Sequence, residues 1–348
     1  MTDAPAGRRI AVVLMNLGGP DSPAAVRPFL QNLFSDPAII GAPAPVRLPL
    51  AWAIARGRSK AAIANYAVMG GASPLLPETQ AQAAALAPVL KAALPGDEVK
   101  VFIAMRYWRP DTAQAARDVA AFDPDEIVLA PLYPQYSTTT TASSLKAWRE
   151  AYKGRGAVRT LCCWYANEGL VAAHAEVIRR TWNAAGQPRV RLLFSAHGVP
   201  ERMIAAGDPY QWQIQATCAA IAERLGEGWD WRICYQSRVG PLKWIGPTTQ
   251  ALIAEAAEEG LGVLIDPVAF VSEHIETLVE LDHDYAKLAA DAGMETYLRA
   301  PAMGVETTFI AGLATAVERA LGGIGVTADG ARCPGAFTGC GQKLAELR

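Results

Sequence analysis

The chain has little net charge and no concentrated charge of either sign. Its 348 residues hold 32 lysines and arginines against 34 acidic residues, for a net charge of −2, and no segment is rich in Lys or Arg. The electrostatic footprint of a nucleic-acid binder is missing, so no nucleic acid is expected among its partners. No long apolar run precedes Ile10, so no secretory signal is read there. The longest lipophilic stretch, residues 48–55 between Arg47 and Arg56, is far short of the roughly 20 residues a helix needs to cross a bilayer. A cytoplasmic protein is expected. Neither G-x-x-x-x-G-K-[ST] nor H-E-x-x-H occurs. Residues 323–328 match G-x-G-x-x-A, but they follow a helical segment, whereas a dinucleotide fingerprint lies between a strand and a helix. Nucleotide and zincin chemistry are therefore not expected. Histidine is scarce, at four residues, and the six cysteines of a cytosolic-looking chain read as free thiols or metal ligands sooner than as a disulfide framework.

What is present is an alternating pattern. Half of the chain is apolar (51%), enough for two cores, and its length suits two domains. Short apolar runs bounded by Gly and Pro predict strands over 10–17, 99–104, 126–130, 158–163, 189–195, 231–235 and 262–266. Segments of helical period lie between and after them, over 24–34, 77–93, 111–121, 142–152, 170–184, 209–224, 247–259, 272–292 and 306–321. That order predicts an α/β fold with mostly parallel sheets. The halves echo one another: the first strand opens into Gly18-Gly19-Pro20 and the fifth into His197-Gly198-Val199-Pro200. Two doubly wound domains joined near 153–168 follow. Ligands of such sheets sit beyond the carboxyl ends of the strands, so both openings should face one cleft.

Two constellations carry chemistry. His197 ends a strand, where an imidazole can accept a proton or ligate a metal near neutral pH; a structural histidine at a tight turn is the competing reading. Ser195 precedes it without a G-x-S-x-G elbow, which argues against a hydrolase. The second begins at Ser272, a candidate N-cap. Glu273, Glu276 and Glu280 then fall at i, i+3 and i+7 with His274 among them. Such a face is either solvated or aimed into a cleft to pass cations inward and protons outward, and periodicity does not choose.

The chain resembles the ferrochelatase family through seven motifs in the family's order, over residues 10 to about 320. They are Asn16-Leu17-Gly18-Gly19-Pro20, Gly70-Gly71-Ala72-Ser73-Pro74, Tyr133-Pro134-Gln135-Tyr136-Ser137, Ser195-Ala196-His197-Gly198-Val199-Pro200, Gly207-Asp208-Pro209-Tyr210, Gln236-Ser237-Arg238-Val239-Gly240-Pro241, and Phe270 through Thr277. The resemblance implies two Rossmann-like domains, each a parallel four-stranded sheet flanked by helices, over residues 8–155 and 165–300. It also implies a helix over 305–322 that packs back on the first domain, and a tail over 326–348. It implies insertion of ferrous iron, as substrate, into protoporphyrin IX, with no nucleotide cofactor. The roles carried over are His197 and Glu276 as catalytic, metal-facing residues on opposite sides of the macrocycle, and Glu273, His274 and Glu280 as a polar relay. Glu273 stands where relatives often have Asp. Arg58, Tyr66, Arg106, Tyr107, Tyr136 and Ser195 match positions near the porphyrin. The rivals are a coproporphyrin chelatase, whose substrate would want a more basic mouth, and a non-catalytic tetrapyrrole carrier, which would need neither His197 nor Glu276.

The apolar segment 45–56 with its basic flanks resembles the family's lip over the cleft and suits transient contact with a membrane surface; a buried helix edge is the plainer reading. Some members hold a [2Fe–2S] cluster on one interior and three tail cysteines. Here the tail offers Cys333 and Cys340, and Cys162 and Cys163 complete four thiolates. Two things count against that set. The interior position after Tyr136-Ser137 is Thr138, and neighbouring residues of a strand point oppositely. Buried small side chains are the competing account.

Overall fold

The computed structural model describes residues 7–323 and 333–341; the remainder of the expected 326–348 tail, and residues 324–328 of the glycine-rich match, lie outside them. The chain runs β1 (Arg9–Asn16), α1 (Val26–Phe34), α2 (Ala44–Val68), α3 (Leu75–Ala93), β2 (Glu98–Met105), α4 (Thr112–Phe122), β3 (Glu126–Pro131), α5 (Thr141–Ala151) and β4 (Ala157–Thr160). It continues with α6 (Glu168–Ala184), β5 (Val190–His197), α7 (Glu201–Ala205), α8 (Tyr210–Leu225), β6 (Trp231–Gln236), α9 (Thr249–Glu258) and β7 (Gly262–Asp266). A π-helix (Glu276–Tyr285), α10 (Ala286–Asp291), β8 (Tyr297–Arg299) and α11 (Thr307–Leu321) complete it.

Two parallel four-stranded sheets result, ordered β2-β1-β3-β4 and β6-β5-β7-β8. β1 and β5 both lie inside their sheets and are buried along almost their whole length; β1 is apolar on both faces through its middle, while β5 carries Arg191, Ser195 and His197 on one face. In each sheet the order reverses beside the central strand, and there the crevice at the strand ends opens. One continuous core joins the halves: Val12 and Leu14 of β1, Leu86 of α3, Phe194 of β5, Ile214 of α8 and Phe309 and Leu313 of α11 belong to it. α11 packs on α3 and on α6, so the last helix ties the two halves together instead of returning to the first alone. The outer faces have smaller cores of their own, around Val13 and Trp148 in one half and Leu193 and Ile253 in the other.

Three departures from the sequence reading matter. α2 covers the apolar segment, with Val46, Leu48, Leu50 and Trp52 between 42% and 58% exposed, so this is an outer surface and not a buried edge. β4 stops at Thr160, which leaves Cys162 and Cys163 in the connection beyond it, outside the strand. The helix expected from Ser272 begins at Glu276 and is wound as a π-helix; Ser272 caps nothing and bonds to Gln82 of α3. Among the described residues, no helix is long and apolar enough to cross a membrane.

Candidate active site

The site is built where β5 and β6 end together, with His197 registered beside Gln236. His197 Nδ1 bonds to the Gly198 carbonyl, which can only accept, so the ring's proton sits on Nδ1. In the neutral form of the ring, Nε2 then presents its lone pair. That atom faces Glu276 Oε2 at 4.0 Å, and both side chains are open to solvent, 36% and 21% exposed. The second Glu276 oxygen lies 3.9 Å from His274 Nε2. His274 is buried, which lowers its pKa and keeps it neutral, and its Nδ1 has no partner.

The π-helix sets this geometry. Residues four apart lie on one side of such a helix, so Glu276 and Glu280 share a face. Glu280 is fully engaged: it accepts from Gln236 Nε2 at 3.0 Å, Ser237 N at 2.9 Å, Ser237 Oγ and Tyr285 Oη at 2.6 Å. Ser237 holds a left-handed φ of +65°, a strained conformation for a residue with a Cβ, and it aims both of its donors at that carboxylate. Glu280 is therefore a fixed negative charge under the site. Glu273 precedes the helix and turns away; one oxygen takes Arg299 at 2.6 Å and the Ala302 amide at 2.9 Å, and the other is buried without a partner. Its carboxyl lies below the ordinary value: burial works against this, but Arg299, Thr277 and the amide outweigh it. Gln236, Ser237, Tyr285 and Arg299 had no assigned role from sequence. Gln236 and Ser237 open a recognised motif, but nothing in their spacing announces that they grip a carboxylate about forty residues on.

The expected porphyrin contacts divide. Tyr66, at the end of α2, is buried, and its hydroxyl is kept protonated first by burial and then by the charge of Glu276 nearby. Arg58 is exposed, near the Phe34 ring at 6.0 Å. Arg106 is half-buried, its Nε on Ser143 and its Nη2 on Asp36, both at 2.7 Å. Three others lie deeper. Tyr107 is 2% exposed and spends its hydroxyl on Asp36. Ser195 is fully buried and donates to Gln236 Oε1 at 2.7 Å, acting from below. Tyr136 is 1% exposed and packs with Cys162, Cys163 and Tyr165, away from the cleft.

That cluster brings the four expected cysteines together. Cys162 hydrogen-bonds with Cys163 and Cys340, and Cys333 with Cys163 and Cys340, so the thiols close a ring. Hydrogen bonds with Cys162 and Cys333, then burial, push the Cys163 thiol well above its ordinary pKa. Among the described residues no three His, Cys, Asp or Glu side chains are grouped so as to hold a metal ion. Cys218 and Cys234 are buried separately in the second half.

The ferrochelatase family model matches residues 9–321. A ferrochelatase of Caulobacter vibrioides (strain NA1000 / CB15N) is 59% identical over 337 residues, spanning 96% of this chain and 97% of that one. A ferrochelatase of Phenylobacterium zucineum (strain HLK1) is 60% identical over 334 residues, spanning 95% and 97%. Among solved structures, DR2241 from Deinococcus radiodurans, described as structurally similar to chelatases, matches 89% of this chain and 55% of its own with a TM-score of 0.51 at 15% identity, a likeness of fold. With a family model over nearly its whole length and relatives near 60% identity, this chain belongs to the ferrochelatase family.

Proposed function

We propose that the protein inserts ferrous iron into protoporphyrin IX, as a lyase-type chelatase, and that His197 and Glu276, side by side on the second half's wall of the cleft and not on opposite sides as the resemblance implied, do the work. The observation that carries this reading is the 4.0 Å approach of a bare imidazole nitrogen and a carboxylate, both accessible. A porphyrin must release two pyrrole protons as one divalent ion enters. His197 Nε2 accepts the first and becomes an imidazolium, stabilised by Glu276; such base catalysis contributes roughly 10²–10⁴-fold. Glu276 and neutral His274 pass protons on toward Glu273, while Glu280 holds Glu276 in place and supplies attraction for the arriving cation. Imidazole and carboxylate suit transient ligation of Fe²⁺, and two donors without a third favour release over trapping. Exposed Arg58 would meet a propionate, as would Arg106 with the part of its guanidinium not held by Ser143 and Asp36. Loss of porphyrin fluorescence on anaerobic addition of Fe²⁺ tests this. The His197→Ala variant is expected to bind porphyrin while turning over at least about 10²-fold more slowly. Turnover at the parent rate would defeat the reading and favour a carrier.

The apolar mouth favours protoporphyrin over coproporphyrin. Arg47 is tied to the Ser35 and Ala42 carbonyls, which leaves Val46, Leu48, Leu50 and Trp52 to dominate the outer surface of α2. The same surface, with Arg56 beside Trp52, suits a cytoplasmic protein that touches the membrane peripherally.

The thiol ring fits a resident [2Fe–2S] cluster on Cys162, Cys163, Cys333 and Cys340. Two cysteines of the interior and two of the tail would supply the four thiolates such a group takes, and each neighbours others of the set. Binding iron would remove the four thiol protons, and the group would supply one-electron chemistry and a clamp between the tail and the interior. A brown preparation whose visible absorption is lost in Cys333→Ala is expected; a colourless, iron-free, fully active protein would exclude it.

A further inference from the structure

The segment bearing Cys333 and Cys340 is docked closely against the turn leading into α8. The Gly339 amide donates to the Gly207 carbonyl at 3.0 Å, and Phe337 packs on Trp212 of α8 with ring centroids 5.7 Å apart. Neither glycine has room for a side chain. A Cβ on Gly207, whose φ is +90°, would meet the Thr338 amide nitrogen at 2.9 Å, and one on Gly339 would meet the Gly207 carbonyl at 3.0 Å. The sulfur ring therefore has a fixed wall.

From that wall one polar side chain reaches the sulfurs. Gln213 of α8 is fully buried. Its Oε1 accepts the Tyr136 backbone N–H at 2.7 Å, and since that group can only donate, the orientation of the amide is settled. The NH₂ end must then face the thiols. It donates to Cys333 Sγ at 3.1 Å and to Cys163 Sγ at 3.4 Å, one sulfur from the tail and one from the interior. A buried amide that spends its donors on two sulfurs is poorly matched to neutral thiols, which are weak acceptors, and well matched to thiolates, where the bonds become charge-assisted.

We infer that Gln213 tunes the sulfur centre, an inference that rests on the cluster proposed above. By donating to Cys163 and Cys333 it stabilises negative charge on their sulfurs, and so raises the reduction potential of the four-thiolate group. One-electron reduction adds a single negative charge to that group and moves no proton or covalent bond, and hydrogen bonds to the sulfurs are among the terms that set its potential. The amide also bridges tail and interior, so the tail sulfur feels the same donor as the buried one.

The test is a dithionite redox titration of full-length protein purified anaerobically, followed by visible absorption and electron paramagnetic resonance. Gln213→Leu deletes both donors. Gln213→Glu keeps the oxygen that accepts from Tyr136, replaces the donors with a like charge, and serves if the leucine variant does not fold. Both variants are expected to stay brown with a midpoint potential more negative than the parent's, Gln213→Glu the further of the two. Brown variants with unchanged midpoints would overturn the role of Gln213 and leave the cluster standing. A colourless parent protein, without a reducible chromophore, would overturn the cluster and this inference together.

Discussion

Asp36 shows how a residue outside every recognised motif can hold up the site. It is 5% exposed. One carboxylate oxygen takes the hydroxyls of Ser143 and Tyr107 and the Arg106 guanidinium, and the other takes the Ala38 amide. Burial alone would raise its pKa, but the bonds from Ser143, Ala38 and Arg106 win and hold it below the ordinary 3.8. A carboxyl depressed in the folded state contributes stability above its unfolded value and loses it as pH falls through the folded one. Asp36→Ala, which leaves Arg106 and Tyr107 facing an empty acceptor, is therefore expected to cost about 3–5 kcal/mol at pH 7 by urea denaturation. The cost should shrink progressively below about pH 4; the same cost at pH 7 and pH 3 would refute this account. Residue types near a motif were legible in the sequence, but their depth was not. Ser195 and His197 share a face by strand period, yet roughly 6.6 Å of rise separates a buried serine holding Gln236 from a histidine that emerges into the cleft.

At the scale of elements, the acidic helix was legible as a helix but not as a π-helix, because i, i+3, i+7 spacing describes a tighter turn than the one that forms. The tertiary contacts on that helix, Gln236 and Ser237 on Glu280, come from the end of β6 and the residue after it. Glu280→Ala would strip the acceptor from Gln236, Ser237 and Tyr285 at once and let the face carrying Glu276 shift. A displacement of about 1 Å costs up to about 10²-fold in turnover. We expect kcat to fall by roughly 10–10² with KM for porphyrin little changed; a rise in KM at constant kcat would place Glu280 in binding instead. α2 was legible only as a short helix edge, with its depth misjudged, because Pro49 lies within it and its outer side is apolar. Each exposed large apolar side chain there gives up roughly 1.5–3 kcal/mol if it inserts into a lipid surface. Leu48→Ser and Trp52→Ser should therefore each weaken sedimentation with anionic vesicles by about tenfold or more. Unaltered partitioning would mean that this face serves the porphyrin alone.

The whole molecule behaves differently from what two echoing halves suggest. Two mostly parallel, doubly wound sheets followed from the alternation of apolar runs and helical segments, but their strand order did not. The three-residue β8 was too short to read. Hidden as well was the sharing of one core. Phe309 of α11 stacks on Trp164, with centroids 5.9 Å apart, and sits in a cluster that reaches from Val12 of β1 to Leu264 of β7. Independent domains would unfold in two steps, whereas a continuous core couples them. Phe309→Ala should cost about 3–5 kcal/mol, and the loss should fall equally on both halves. Hydrogen exchange followed by mass spectrometry checks this directly, because peptides from β1 and from β5 report the two sheets separately. Matched losses of protection in both are expected, with a single urea transition. A loss confined to one sheet would show that the helix belongs to that half, and that the cleft between His197 and the residues of the first half is held by something other than the shared core.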